Sequence, residues 1–169
     1  MANQRAQIVM SDDEVVELLH QQRSATVATT GPTGRPHLVA MWYAVLDGPD
    51  GRPTVWLETK AKSQKVVNLR RDDRMSVLVE AGHTYDQLRG VALEGTGVVI
   101  EDPDVVWDVC VDVFERYNAP YTEELRPFVE LMARNRVVVR LDVARTRSWD
   151  HRKLGLDPIP LGGTTAEFL

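Results

Sequence analysis

The chain has 169 residues, 43% of them hydrophobic and 27% charged, a composition that fits a globular protein and excludes a disordered or fibrous one. A single cysteine, Cys110, excludes an intrachain disulfide and any zinc site built on several thiolates. The net charge of −5 argues against a dedicated nucleic-acid binder, and no apolar run approaches the ~20 residues of a membrane-spanning helix. The opening MANQRAQIVMSDDE lacks the charged-then-apolar form of a secretory signal. The expectation is a cytoplasmic protein with no membrane or nucleic-acid partner. It reads as one domain over residues 1–169, with a core at about 11–155 and an irregular tail over 156–169.

Ser11-Asp-Asp-Glu14 has the form of a capping box and starts a helix predicted over about Ser11–Gln22, with Val15, Val16, Leu18 and Leu19 as its apolar side. Two β-rich runs follow, Ala25–Thr30 and His37–Leu46, joined by the turn-forming Gly31-Pro-Thr-Gly-Arg-Pro36. A second turn over 47–53 leads to a strand at Thr54–Glu58, then a short helix at Ser63–Arg71 and a strand at Met75–Glu80. His83–Gly90 reads as a polar connection. Val91–Glu101 is a long strand whose Gly95 and Gly97 signal a bulge or bend. Asp102-Pro103 opens a helix that ends near Tyr117, and Thr122–Arg134 is a further helix if Pro127 falls in its first turn. Arg136–Arg147 is the last strand. About six strands and three to four helices, with strand and helix alternating too irregularly for a doubly wound sheet, predict a mainly β fold. The expected form is a small, closed or nearly closed β-barrel carrying peripheral helices.

Charge is unevenly placed. Residues 60–74 carry six bases against two acids and residues 134–153 seven against two, so two basic segments lie on an acidic body. Within the first, Lys60, Lys62 and Lys65 crowd the start of a helix, where the backbone is already partly positive. An anion would relieve that conflict, taking bonds from backbone N–H groups, from Thr59 and Ser63, and from Lys65. The alternative is a set of solvated surface lysines. In the second segment, Trp149 lies among cations, placed either to stack on a flat ring or to pack on a neighbouring element. Pro36–Tyr43 is apolar without clear alternation, so both faces of that strand are expected to be covered, by core or by a ligand and a partner.

Other side chains offer less. His20, His37, His83 and His151 show no metal-ligand spacing, so no metal is expected. Cys110 reads as a packed small hydrophobe. Tyr43, His83, Tyr85 and Tyr121 are read as structural rather than as proton donors, leaving the catalytic residues unknown.

Taken together, Ala25–Gly31, Gly34-Arg-Pro-His-Leu-Val39, Lys62–Val77 and Gly90–Gly95, in this order and spacing, resemble the pyridoxamine 5′-phosphate oxidase-like split β-barrel superfamily. The match is best to its actinobacterial branch of deazaflavin (coenzyme F420) oxidoreductases. The resemblance covers about residues 11–155. It implies a homodimer with the cofactor at the subunit interface and a hydride passed between reduced F420 and a conjugated small-molecule acceptor. The alternatives it leaves are an FMN enzyme of the same fold or a protein that only binds the cofactor. By the same resemblance, Thr59, Lys60, Ser63, Gln64 and Lys65 hold the cofactor phosphate. Val39, Ala40, Met41 and Trp42 run along the ring edge, and Gly90 borders it. Trp149 approaches from the partner subunit, with His151 and Lys153 beside it. Gln64 stands where the oxidase has an arginine, and His151 and Lys153 stand where it uses arginines on its substrate, which sets this chain apart from pyridoxamine phosphate oxidation.

Overall fold

The computed structural model describes residues 4–169. The single-domain expectation also takes in residues 1–3, which lie outside the described residues. A short helix, α1 (Gln4–Gln7), has no counterpart in the sequence reading. Helix α2 (Asp12–Gln21) begins with the expected capping box: Ser11 accepts from the Glu14 N–H, and Glu14 accepts from the Ser11 N–H. Its Val15, Leu18 and Leu19 are buried.

Seven strands follow: β1 (Ala25–Thr30), β2 (Pro36–Met41), β3 (Ala44–Asp47), β4 (Pro53–Lys60), β5 (Arg74–Ala81), β6 (Arg89–Ile100) and β7 (Arg136–Asp150). They form one antiparallel sheet in the order β2-β1-β5-β6-β7-β4-β3. The fold is mainly β, as expected, but the sheet is not closed. The expected strand His37–Leu46 is two strands, and these are the two edges of the sheet. Only Trp42 and Tyr43 separate β2 from β3, a reach of about 10 Å at most. The chain can step from one edge to the other only because the sheet is rolled, so the barrel is split at this point.

The inside of the roll holds Val27, Val55, Leu57, Val77, Val79, Val91, Leu93, Val139 and Leu141, plugged by Leu18 and Leu19 of α2. A second core lies outside β3, β4 and β7, under α4 (Pro103–Tyr117) and α5 (Arg126–Ala133). Helix α4 starts on Asp102, which accepts from the Asp104 and Val105 N–H groups, and buries Val106, Val109, Cys110 and Val113 at helical spacing. Val137–Val139 is buried throughout because β7 here has core on both faces. The predicted helix over Thr122–Arg134 is instead a 3-10 turn at Glu123–Leu125 followed by α5, which starts at Arg126 and so holds Pro127 in its first turn. A bulge interrupts the β6–β7 register at Glu94/Gly95, where a Cβ on Gly95 would come within 2.0 Å of the Asp142 carbonyl oxygen.

Of the coverings expected for β2, core supplies one face and not both. Burial alternates along the strand, with Leu38 and Ala40 outward and Val39 and Met41 packed on the inner core. Its outer face is apolar yet uncovered in the single chain, with Leu38 63% exposed. The polar connection before β6 ends two residues earlier than read, at Leu88, and β7 runs on to Asp150.

The β2–β3 step is held by two helix ends. Tyr43 is fully buried, and its hydroxyl donates to the Leu19 carbonyl in the last turn of α2. Arg116 of α4 donates to the Leu19 and Gln22 carbonyls, at 2.6 and 2.5 Å, and lies over the Tyr43 ring. In return Arg23, just past α2, donates to the Tyr117 carbonyl at the end of α4. Each helix C-terminus thus receives a cation from the other. Replacing Arg116 with Met should cost about 1.5–3 kcal/mol, because the Leu19 and Gln22 carbonyls lose their charged donor and are left to share the Tyr43 hydroxyl. Urea unfolding followed by far-UV circular dichroism measures it, and a loss below about 0.5 kcal/mol would show the clamp to be unimportant.

Candidate functional site

The roll of the sheet brings the end of β2 to the end of β4. Between them lies a cleft of about 600 Å³ lined by Ala40, Met41, Trp42, Glu58, Thr59, Lys60, Lys62, Ser63, Lys65 and Arg136. Its floor is the start of α3 (Gln64–Arg71), its far wall the start of β7. Ser63 is the N-cap of α3 but makes no side-chain capping bond. Its hydroxyl instead meets that of Thr59 at 3.3 Å. The N–H groups in the first turn of α3 have no intrahelical acceptor, as at any helix start.

Lys65 lies on the first turn of that helix and is only 8% exposed. Its ammonium donates to Thr59 Oγ1 at 3.0 Å, a neutral partner. No ion pair within 4.0 Å is formed by it among the described residues. Burial lowers its pKa from the usual lysine value, opposed by the nearby Glu58 carboxylate. Glu58 is itself largely buried and ion-paired with Arg136 across the β4–β7 ladder. Burial raises its pKa, and Arg136 opposes the rise. Lys60 and Lys62 are exposed at the rim.

Trp42 forms the wall opposite. It is 54% exposed and stacks flat on Tyr117, with ring centres 4.4 Å apart and planes 2° from parallel. Tyr117 is fixed in turn, because its hydroxyl accepts from the Tyr43 N–H at 3.0 Å and donates to the Tyr43 carbonyl at 3.1 Å. Arg23 lies over the Tyr117 ring at 5.0 Å.

Of the residues singled out from sequence, Ala40, Met41, Trp42, Thr59, Lys60, Ser63 and Lys65 line this one cleft. Val39 and Met41 turn their side chains to the core, so only their backbone is available at the edge of β2. The Gln64 side chain points along its helix and donates to Asn68. Gly90 and Trp149 meet each other instead: they are register partners, and a Cβ on Gly90 would lie 2.3 Å from the indole. They lie three and four strands from β2, roughly 14–19 Å along the sheet. His151 and Lys153 belong to a 3-10 turn beyond β7. The first is held at the Tyr85 carbonyl, 2.9 Å away, and the second by Glu14 at 2.6 Å. Within one chain these four do not join the cleft. Glu58, Arg136 and Tyr117 were not picked out from sequence. Each reaches the site through a partner distant in the chain, 78 positions for Glu58–Arg136 and 74 for Tyr117–Tyr43, so no local pattern marks them.

The family model of pyridoxamine 5′-phosphate oxidase matches residues 11–150. The chain belongs to this family. A conserved hypothetical protein from Mycobacterium tuberculosis is 55% identical to it, with a TM-score of 0.90, covering 95% of this chain and 98% of that one. An F420 reductase shares the fold at 22% identity and a TM-score of 0.59, over 78% of this chain and 94% of its own. A FAD-binding protein from Mesorhizobium loti does so at 18% identity and a TM-score of 0.58, over 83% and 94%. No curated protein matches the sequence. Among the described residues no helix is long and apolar enough to cross a membrane, and no cluster of His, Cys, Asp and Glu is arranged to hold a metal.

A buried ammonium whose hydrogen bond goes to a neutral hydroxyl, with the nearby Glu58 carboxylate already paired to Arg136, is poorly compensated. Lys65→Met should therefore raise stability by about 1 kcal/mol at neutral pH while weakening any anion affinity of the cleft. Because burial lowers the native pKa of Lys65, the native chain loses this proton before the unfolded chain does. Wild-type stability then rises with pH between that lowered value and the ordinary 10.5, and the advantage of Met shrinks across the same window. Urea midpoints of the two proteins at neutral and alkaline pH test this, and an equal gap at both would contradict it.

Proposed function

We propose that the cleft holds the phosphate and ring of a flavin-type cofactor, reduced coenzyme F420, and that the protein is an oxidoreductase passing hydride to a conjugated small-molecule acceptor. The observation that carries the reading is Lys65: a nearly buried ammonium, at a helix start whose cap hydroxyl is turned away, bonded only to Thr59. A phosphate oxygen fits what these groups lack, since it accepts from Lys65, from the Ser63 and Thr59 hydroxyls and from the first N–H groups of α3. The edge of β2 offers alternate backbone groups to the rim of a planar ring, and the exposed face of Trp42 offers it an apolar wall. The fold shared with an F420 reductase supports the choice of cofactor, as does the sequence resemblance.

When bound, the deazaflavin supplies the hydride chemistry. The chain's part is to bind its charged end, orient the ring and keep water from it. A second copy completes the enclosure in this reading. The outer face of β1, β2, β5 and β6 presents small residues in register, Ala40, Thr26 and Ala92 around Leu78, and Leu38, Ala28 and Ser76 beside them. Trp149 projects from the same face and is the residue a second copy would bring to the cleft.

Fluorescence titration of the purified chain with F420 should show saturable binding at micromolar cofactor. Lys65→Ala should weaken it by about 1.5–3 kcal/mol, the worth of a charge-assisted bond. No saturable change in the wild type would remove the proposal, and unchanged affinity in the variant would place the phosphate elsewhere. Sedimentation should give a dimer, and Trp149→Ala should weaken binding while the dimer persists. A wild-type monomer that binds F420 with full affinity would rule out the shared site.

A further inference from the structure

Three charges of the cleft are withdrawn from bulk solvent. Lys65 is 8% exposed, and the side chains of Glu58 and Arg136 are 11% and 25% exposed. Arg136 is committed to Glu58 by a direct ion pair, so the buried set carries a net charge of +1 concentrated at Lys65. Lys60 and Lys62 add charge only at the exposed rim, where solvent and salt screen it.

We infer that Glu58 is a specificity residue that makes the cleft favour a singly charged phosphodiester over a doubly charged phosphomonoester. This rests on the reading of the cleft as a cofactor-phosphate site. A phosphodiester carries one negative charge, whereas a monoester carries about −1.5 to −2 at neutral pH. The single charge of a diester is met by Lys65 and the first turn of α3, leaving the Glu58–Arg136 pair intact. A monoester brings a second charge into the same poorly solvated space, against the Glu58 carboxylate. Glu58 and Arg136 sit on adjacent paired strands, with Glu58 opposite Val138 and Arg136 opposite Lys60, so the ladder holds the two side chains together. To gain Arg136, a dianion must separate that pair and leave Glu58 buried without a partner. The two flavin-type candidates differ in this feature: F420 joins its phosphate to two alcohols, and FMN joins it to one.

The test compares F420 and FMN on the full-length wild type, Glu58→Gln, Arg136→Met and the double variant Glu58→Gln/Arg136→Met, with thermal melts to confirm folding. The buried charge is +1, +2, 0 and +1 in that order, so the ratio of FMN to F420 affinity should follow it. Glu58→Gln should raise the ratio at least about tenfold and Arg136→Met should lower it, because like charges forced together are strongly disfavoured. The double variant should return to within about threefold of wild type despite losing both side chains. If one single variant fails to fold, the other still sets the direction. A ratio that stays constant while both ligands bind, or a double variant that behaves like Glu58→Gln, overturns the inference and leaves the cofactor site standing. Failure of both ligands to bind any of the four proteins overturns the site and the inference together.

Discussion

The architecture turns on two residues, Trp42 and Tyr43, that carry the chain from one edge of the sheet to the other. A strand step this short fixes how tightly the sheet must roll, and the roll decides that the end of β2 meets the end of β4. Nothing in the local backbone enforces the step. It is held by the Tyr43 hydroxyl on α2, by Arg116 across two helix-end carbonyls, and by the Tyr117 hydroxyl engaged with both backbone groups of Tyr43. The same contacts orient Trp42, the wall of the cleft. The scaffold and the site are therefore set by one cluster, and a change that loosens the crossover should disturb both. Burial pushes the Tyr43 hydroxyl up to about 12, so across the physiological range it stays a donor to the helix and not an acid for chemistry.

The cleft runs against the tendency of the rest of the fold. Several buried polar groups elsewhere are matched: Thr54 donates to the Leu141 carbonyl, Asn68 to Thr29, and Asp150 receives Arg152. At the start of α3 the matching stops. A hydroxyl suited to capping is turned aside, a lysine is buried with the nearest carboxylate given to Arg136, and two more lysines stand close by. Such local conflict lowers stability and is retained where a ligand relieves it. A neighbouring feature makes the loop rigid enough to serve: the Ala61 N–H donates to the carbonyl of Asn135, the residue with positive φ that turns α5 into β7.

What the sequence made legible follows the range of the interactions involved. The capping box at Ser11, the Asp102-Pro103 helix start and the Gly95 bulge are encoded within a few residues, and each is present. The lysine-rich helix start could be found for the same reason. The break at Trp42-Tyr43 could not, since no glycine or proline marks it and an apolar run such as Pro36–Leu46 reads equally well as one strand or two. The alternation of β2 was hidden because its outward residues are themselves apolar. The positions of Trp149, His151 and Lys153 are likewise matters of strand order, which local pattern does not give.

Charge shows most clearly how a linear reading differs from a folded one. The two basic segments invite the view that the protein offers a broad positive surface. Folding neutralises much of it locally: Arg70 meets Glu101, Arg74 meets Asp72, Arg140 meets Asp142, Arg147 meets Glu94, Arg152 meets Asp150 and Lys153 meets Glu14. Arg136 is taken by Glu58. What remains at the cleft is lysine, with one ammonium buried and two at the rim. Seven of the thirteen bases in the two segments are thus held by acids of the same chain. In the proposed reading, anion affinity would rest on the few cations that folding leaves outside an ion pair, and so on where Glu58 directs its charge.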